Sequence, residues 1–142
     1  MRKLFVICAI LLASVSLHAQ VNNMLGNWYT VDDKSGEKLS VVNIYQGDNG
    51  LYYGKIEKLL KPDAETVCTQ CTGEDKGKSK IGLVIIRDMK ADKDKLTGGR
   101  VLDPDNGKFY YAKISLKDGQ LVLRGSLDKK GLLGRSQTWV RK

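Results

Sequence analysis

Two cysteines three positions apart, in Cys68-Thr69-Gln70-Cys71, are the residues whose type and spacing most directly carry chemistry. Three chemistries use such a pair. In an oxidising compartment the thiols close a small ring and staple their loop. A thiol–disulfide exchange centre also needs a thiol with a lowered pKa at a helix N-terminus, in a βαβ setting. Zinc needs four ligands, and only Glu74 and Asp75 stand near enough in sequence to complete a site. The surroundings read as strands and turns, with Gly73 close behind, so a structural disulfide fits best. The carboxylates single out no pair: Asp32, Glu57 and Asp103 are scattered, whereas glycoside cleavage needs two carboxylates across one cleft. Asp103-Pro104-Asp105-Asn106-Gly107 faintly resembles a calcium loop but lacks the distal glutamate, and Pro104 with Asn106-Gly107 reads as a tight turn. Gly98-Gly99-Arg100 precedes no helix and reads as a strand bend rather than a phosphate loop. No catalytic residue, metal site or cofactor is expected.

The N-terminus sets the compartment in which those cysteines act. Arg2-Lys3, an apolar run from Leu4 to Leu17 and then Leu17-His18-Ala19 have the form of a secretory signal cleaved after Ala19. The run is shorter than the roughly 20 residues of a spanning helix, and Cys8 has no lipobox before it. The whole chain has 142 residues and a formal charge of +8, from 24 Lys and Arg against 16 Asp and Glu. Residues 20–142 number 123 and carry 22 basic side chains, no histidine and only Cys68 and Cys71. Loss of His18 removes every Ser-His-Asp or Cys-His arrangement. A periplasmic or secreted protein with no later transmembrane segment is expected. Its lysines alternate with acids and glycines, as in Lys90-Ala91-Asp92-Lys93-Asp94-Lys95, without a basic stripe. Nucleic acid is therefore not an expected partner. Modest attraction to anionic envelope polymers or lipid head groups is.

The elements that must position these residues are strands. The chain is 42% hydrophobic and 28% charged, as in a folded domain. Asp48-Asn49-Gly50, Asp105-Asn106-Gly107 and Asp118-Gly119 are hairpin turns, because Asn, Asp and Gly tolerate positive φ. Between such signals the pattern predicts strands at Gly26–Val31, Leu39–Gln46, Leu51–Leu59, Ile81–Met89, Lys95–Leu102, Lys108–Lys117, Gln120–Ser126 and Arg135–Arg141. One long connection, Lys61–Lys80, holds the cysteines, with a single helical turn expected at Asp63–Thr66. Eight sequential strands that close on themselves leave no edge. The expected fold is all-β: one up-and-down antiparallel barrel over residues 20–142.

Gly26-Asn27-Trp28, Leu51-Tyr52-Tyr53-Gly54-Lys55-Ile56, the cysteine pair, Gly98–Pro104, Leu121–Gly125 and Leu133–Arg141 together resemble the bacterial "domain of unknown function 2147" family of exported proteins. The resemblance spans essentially residues 20–142 and implies a small calycin-like barrel and an envelope location, with no established activity. A looser likeness to lipocalins rests on Gly26 and Trp28 at the first strand and on Arg141 late in the last. It implies a structural role, with a guanidinium stacked on a tryptophan that closes the barrel floor. Residues 20–142 are short for that family, and its C-terminal helix is not expected here.

The binding candidates are side chains with a flat apolar body and a polar tip: Tyr53, Tyr110, Arg135, Gln137 and Trp139. Arg135, Gln137 and Trp139 share one face of the last strand. An interior face would need an internal carboxylate or a bound anionic group beside Arg135; an exterior face would be a surface stripe. Both stay open. The leading expectation is a non-enzymatic barrel that binds a small amphipathic or anionic, lipid-like molecule. The alternative is an envelope interaction or scaffold module with a filled core, and a thiol–disulfide enzyme comes third.

Overall fold

The turn residues do punctuate eight strands. The computed structural model describes residues 19–142, so the expected leader lies outside the described residues except for Ala19. The strands are β1 (Gly26–Val31), β2 (Lys38–Gln46), β3 (Tyr52–Leu59), β4 (Val84–Asp92), β5 (Lys95–Asp103), β6 (Lys108–Lys117), β7 (Gln120–Ser126) and β8 (Gly134–Arg141). Each pairs antiparallel with the next, and β1 meets β8 at Trp28–Arg141 and Tyr29–Val140, closing the barrel. Among the described residues no helix is long and apolar enough to cross a membrane.

Two expectations need correction. The fourth strand starts at Val84, not Ile81, because Gly82 takes φ +88° and turns the chain there. The 3₁₀ turn in the long connection is Gly73–Asp75, not Asp63–Thr66, where only the Ala64 amide bonds back to the Lys61 carbonyl. The expected bend at Gly98-Gly99 is present as a register shift in β5. A Cβ on Gly99 would collide with the Arg87 carbonyl and the Met89 sulfur of β4, so only glycine fits.

Strand alternation divides the side chains between the core and the outside. Trp28, Val42, Ile44, Ile86, Leu96, Ile114, Leu121 and Trp139 lie in the core, none more than 2% exposed. They fill the barrel at the end where β1 begins, hereafter the closed end. The short turn before β1 covers that end, with Val21 and Met24 buried against the core. The opposite, open end carries the β1–β2, β3–β4, β5–β6 and β7–β8 connections.

The β3–β4 connection forms a flap outside the barrel. Leu102 pairs with Phe109, opposite in facing to the inward Val101–Tyr110 pair, yet Leu102 is only 1% exposed. It shares a hydrophobic cluster with Cys68 and Cys71 of the flap. Polar contacts pin this flap down. Arg87 on β4 donates to Asp75 at 3.0 Å, and Lys80, 7% exposed at its side chain, pairs with Asp105 at 3.1 Å.

Candidate functional site

At the closed end the geometry is a clamp. Trp28 is fully buried, and its indole N–H donates to the Met24 carbonyl at 2.8 Å. The Arg141 guanidinium lies 3.9 Å from the centre of the Trp28 ring. Its Nη1 donates to the Leu25 carbonyl at 2.7 Å and its Nη2 to the Asn23 carbonyl. One arginine thus ties the last strand to the turn that seals the barrel, and such a cation–π contact contributes about 1–2 kcal/mol where partly desolvated. Gly26 sits at φ +104° beside the same guanidinium, where a Cβ would come within 3.1 Å of Nη1. A shallow cleft of about 360 Å³ borders Gln20, Asn23, Leu116, Asp118 and Arg141.

The open end is built differently. On β8, Trp139 pairs with Leu121, Gln137 with Leu123 and Arg135 with Gly125. Leu121 and Leu123 belong to the core, so this face of β8 points inward. The three side chains climb the barrel axis: Trp139 is buried, Gln137 half-buried and Arg135 exposed at the rim. The indole N–H of Trp139 donates to Gln137 Oε1 at 3.3 Å. Tyr110 faces the same space from β6: a Cβ on Gly125 would lie 3.6 Å from both the Tyr110 Cβ and the Val101 Cγ1. The Tyr110 hydroxyl accepts from the Asn106 amide at 3.0 Å. Thr30 and Ser40 join their hydroxyls at 2.7 Å across β1 and β2. Inward-facing Tyr110, Val101 and Gln137 keep accessible surface, which admits solvent from this end.

Tyr53 does not join this group. Tyr52, its neighbour, points inward and is buried, so Tyr53 projects outside the barrel. There it stacks on Tyr45 with centroids 5.8 Å apart, accepts from Asn49 and donates to Asp88. Of the five binding candidates the barrel therefore brings together Tyr110, Arg135 and Gln137 at the open end. Trp139 lies beneath them in the packed half.

Cys68 and Cys71 form a disulfide with Cα atoms 5.4 Å apart, and both residues are buried. The Cys68 sulfur lies 3.4 Å from the Pro104 carbonyl oxygen. Gly107, at φ +74°, nests against Gln70, whose carbonyl a Cβ would strike. The staple thus shapes the flap where it crosses the β5–β6 turn. A second cleft, of about 460 Å³, opens beside the flap, lined in part by Glu74, Asp75, Lys78, Ile81 and Arg87. Arg87 and Arg100 both lie over the Phe109 ring, at 5.1 and 4.3 Å.

The β7–β8 connection carries a feature that the residue types alone did not mark. The Asp128 carboxylate accepts from the Leu133 amide at 2.7 Å and the Leu132 amide at 3.0 Å. These two backbone bonds hold its carboxyl below the usual carboxylate range. Asp32 is lowered in the same way in the β1–β2 turn, chiefly by the Ser35 amide. The signal that was available is compositional: Leu127, Leu132 and Leu133 flank a Lys-Lys-Gly turn that needs no apolar residue.

A comparison with curated protein sequences returns no relative. Among solved structures, the chain is similar to protein HP1028 from the human pathogen Helicobacter pylori, described as belonging to the lipocalin family. The match has a TM-score of 0.71 and 23% identity, and it covers 83% of this chain and 82% of that one. It shows a lipocalin-like barrel. Residues 26–141, which contain every strand, the Trp28–Arg141 clamp and the stapled flap, match a family model described as "Uncharacterized protein conserved in bacteria (DUF2147)", and the chain belongs to that family.

Proposed function

We propose that this chain is an exported, non-enzymatic barrel that holds a small amphipathic, anionic molecule at its open end. The observation that carries the reading is the inward-facing trio of Arg135, Gln137 and Tyr110 above a packed floor. Arg135 forms no ion pair among the described residues. A guanidinium without a carboxylate is suited to an anionic group presented at the rim. Val101, which lies against Gly125 opposite Arg135, offers apolar surface close by. The packed closed half restricts the occupant to the mouth. Export rests on the signal-like segment Met1–Ala19 and fits the disulfide. Burial of both cysteines shields the sulfurs from a thiol partner, which weighs against exchange chemistry.

The test is solvent extraction of the protein purified from its native envelope, followed by mass spectrometry. The expected result is a co-purifying anionic amphiphile that Arg135→Gln and Tyr110→Ala lose without loss of fold. An empty protein, or undiminished retention by Arg135→Gln, rejects the reading.

The filled closed half and the stapled outer flap favour a second reading, an envelope interaction module working through its outer loops. Salt-sensitive retention on envelope polymers, unchanged by Arg135→Gln, is the result that would select it.

A further inference from the structure

The most exposed large apolar side chains among the described residues cluster in one seven-residue connection. Leu127, Leu132 and Leu133, between β7 and β8, are 71%, 74% and 67% exposed, while the next, Ile81, is at 52%. Single exposed leucines are ordinary, but three together on one short loop mark an interaction surface.

The loop is held in this form. Besides the Asp128 bonds to Leu132 and Leu133, the Leu127 amide donates to the Leu133 carbonyl at 2.9 Å. From β7, Arg124 donates through Nε to the Gly131 carbonyl at 2.6 Å and through Nη2 to the Leu132 carbonyl at 3.3 Å. Ser126 donates to the Asp128 carbonyl at 2.7 Å. Buried or satisfied polar groups therefore fix the backbone while the leucines are turned to solvent. Lys129 and Lys130 sit at the tip and Arg135 follows, whereas the sole acid, Asp128, is occupied by backbone amides.

We infer that the Leu127–Leu133 loop docks the barrel onto an anionic phospholipid surface. Leu127, Leu132 and Leu133 enter the head-group region, and Lys129 and Lys130 face the lipid phosphates. Charge decides the occupant. Residues 20–142, with 22 basic against 16 acidic side chains, carry +6 and repel a second copy, while an anionic bilayer attracts them. Docking in this way turns the open end toward the bilayer. The inference stands on the loop alone and does not depend on the ligand reading.

The experiment is flotation of the purified protein, its N-terminus established by intact mass, with two kinds of vesicle. One contains phosphatidylglycerol and phosphatidylcholine in equal parts, the other phosphatidylcholine alone. The protein is expected to float with the anionic vesicles only. Leu132→Ser with Leu133→Ser, and separately Lys129→Gln with Lys130→Gln, should each weaken binding about tenfold. Both should keep the wild-type thermal midpoint and any co-purifying molecule. Absence of flotation, flotation unaffected by the leucine substitutions, or a dimer in sedimentation analysis that those substitutions dissolve would each overturn the assignment.

Discussion

The two ends of the barrel spend similar residues in opposite ways. At the closed end an arginine lies on a buried tryptophan, and the guanidinium and the indole both donate to carbonyls of the sealing turn. At the open end Arg135 faces the barrel axis from the rim and forms no ion pair among the described residues. A guanidinium can therefore be part of the wall or part of the site, and what decides is whether the chain supplies its partner. The large fully buried side chains gather toward one end, and the proposed site lies at the other.

The sharpest way to break this contrast is to remove the floor. Trp28→Ala should cost about 3–5 kcal/mol in urea unfolding, whereas Arg135→Gln at the rim should stay within about 0.5 kcal/mol of wild type. Equal costs would erase the distinction between the ends. Replacing the disulfide comes next. Cys68→Ser with Cys71→Ser opens a four-residue ring, for which the chain-entropy relation gives about 2 kcal/mol. The loss should be matched by reduction of the wild type. Arg141→Gln, which removes the cation–π contact but leaves the ring buried, should cost about 1–2 kcal/mol. It should also speed amide exchange in the Val21–Leu25 turn.

The smallest effect concerns pH and is local to the open end. The Asp128 carboxyl is lowered in the folded protein by the Leu133 and Leu132 amides, so its contribution is complete above the ordinary value of 3.8. It is lost as the pH falls from there through the depressed folded value. Acidification in that range, or Asp128→Asn at neutral pH, should lower the protection factors of the Leu132 and Leu133 amides, relative to intrinsic exchange at the same pH, and leave the barrel strands protected. Protection of those two amides that does not respond to either change would remove Asp128 as the organiser of the loop.

The sequence carried the closed end better than the open one. Asn-Gly and Asp-Gly pairs mark hairpins because their φ requirement is local, and β1, β6 and β7 have the expected limits. Gly26, Trp28 and Arg141 were legible through the family likeness. Inward or outward facing was not: Tyr52 and Tyr53 are adjacent and chemically alike, and only the register against β2 and β4 places Tyr52 inside and Tyr53 outside. The flap was legible as the long connection Lys61–Lys80 with its stapled cysteines, but its seat against the barrel was not. Its cover over Leu102 joins residues about thirty positions apart, and no periodicity reports such a contact. The leucines of the β7–β8 loop were visible as letters, but their exposure depends on Arg124 and Asp128 fixing the backbone beneath them.

The central claim is that the open end binds while the closed end is structural. A nitrogen-15 NMR titration with a lysophospholipid tests it in one experiment, since the Trp28 indole N–H, bonded to Met24, reports from the floor. The account predicts shifts at the Tyr110, Arg135 and Gln137 amides with the Trp28 indole signal unmoved. Movement of the Trp28 signal with the open-end amides silent, or no change anywhere at saturating probe, would contradict it.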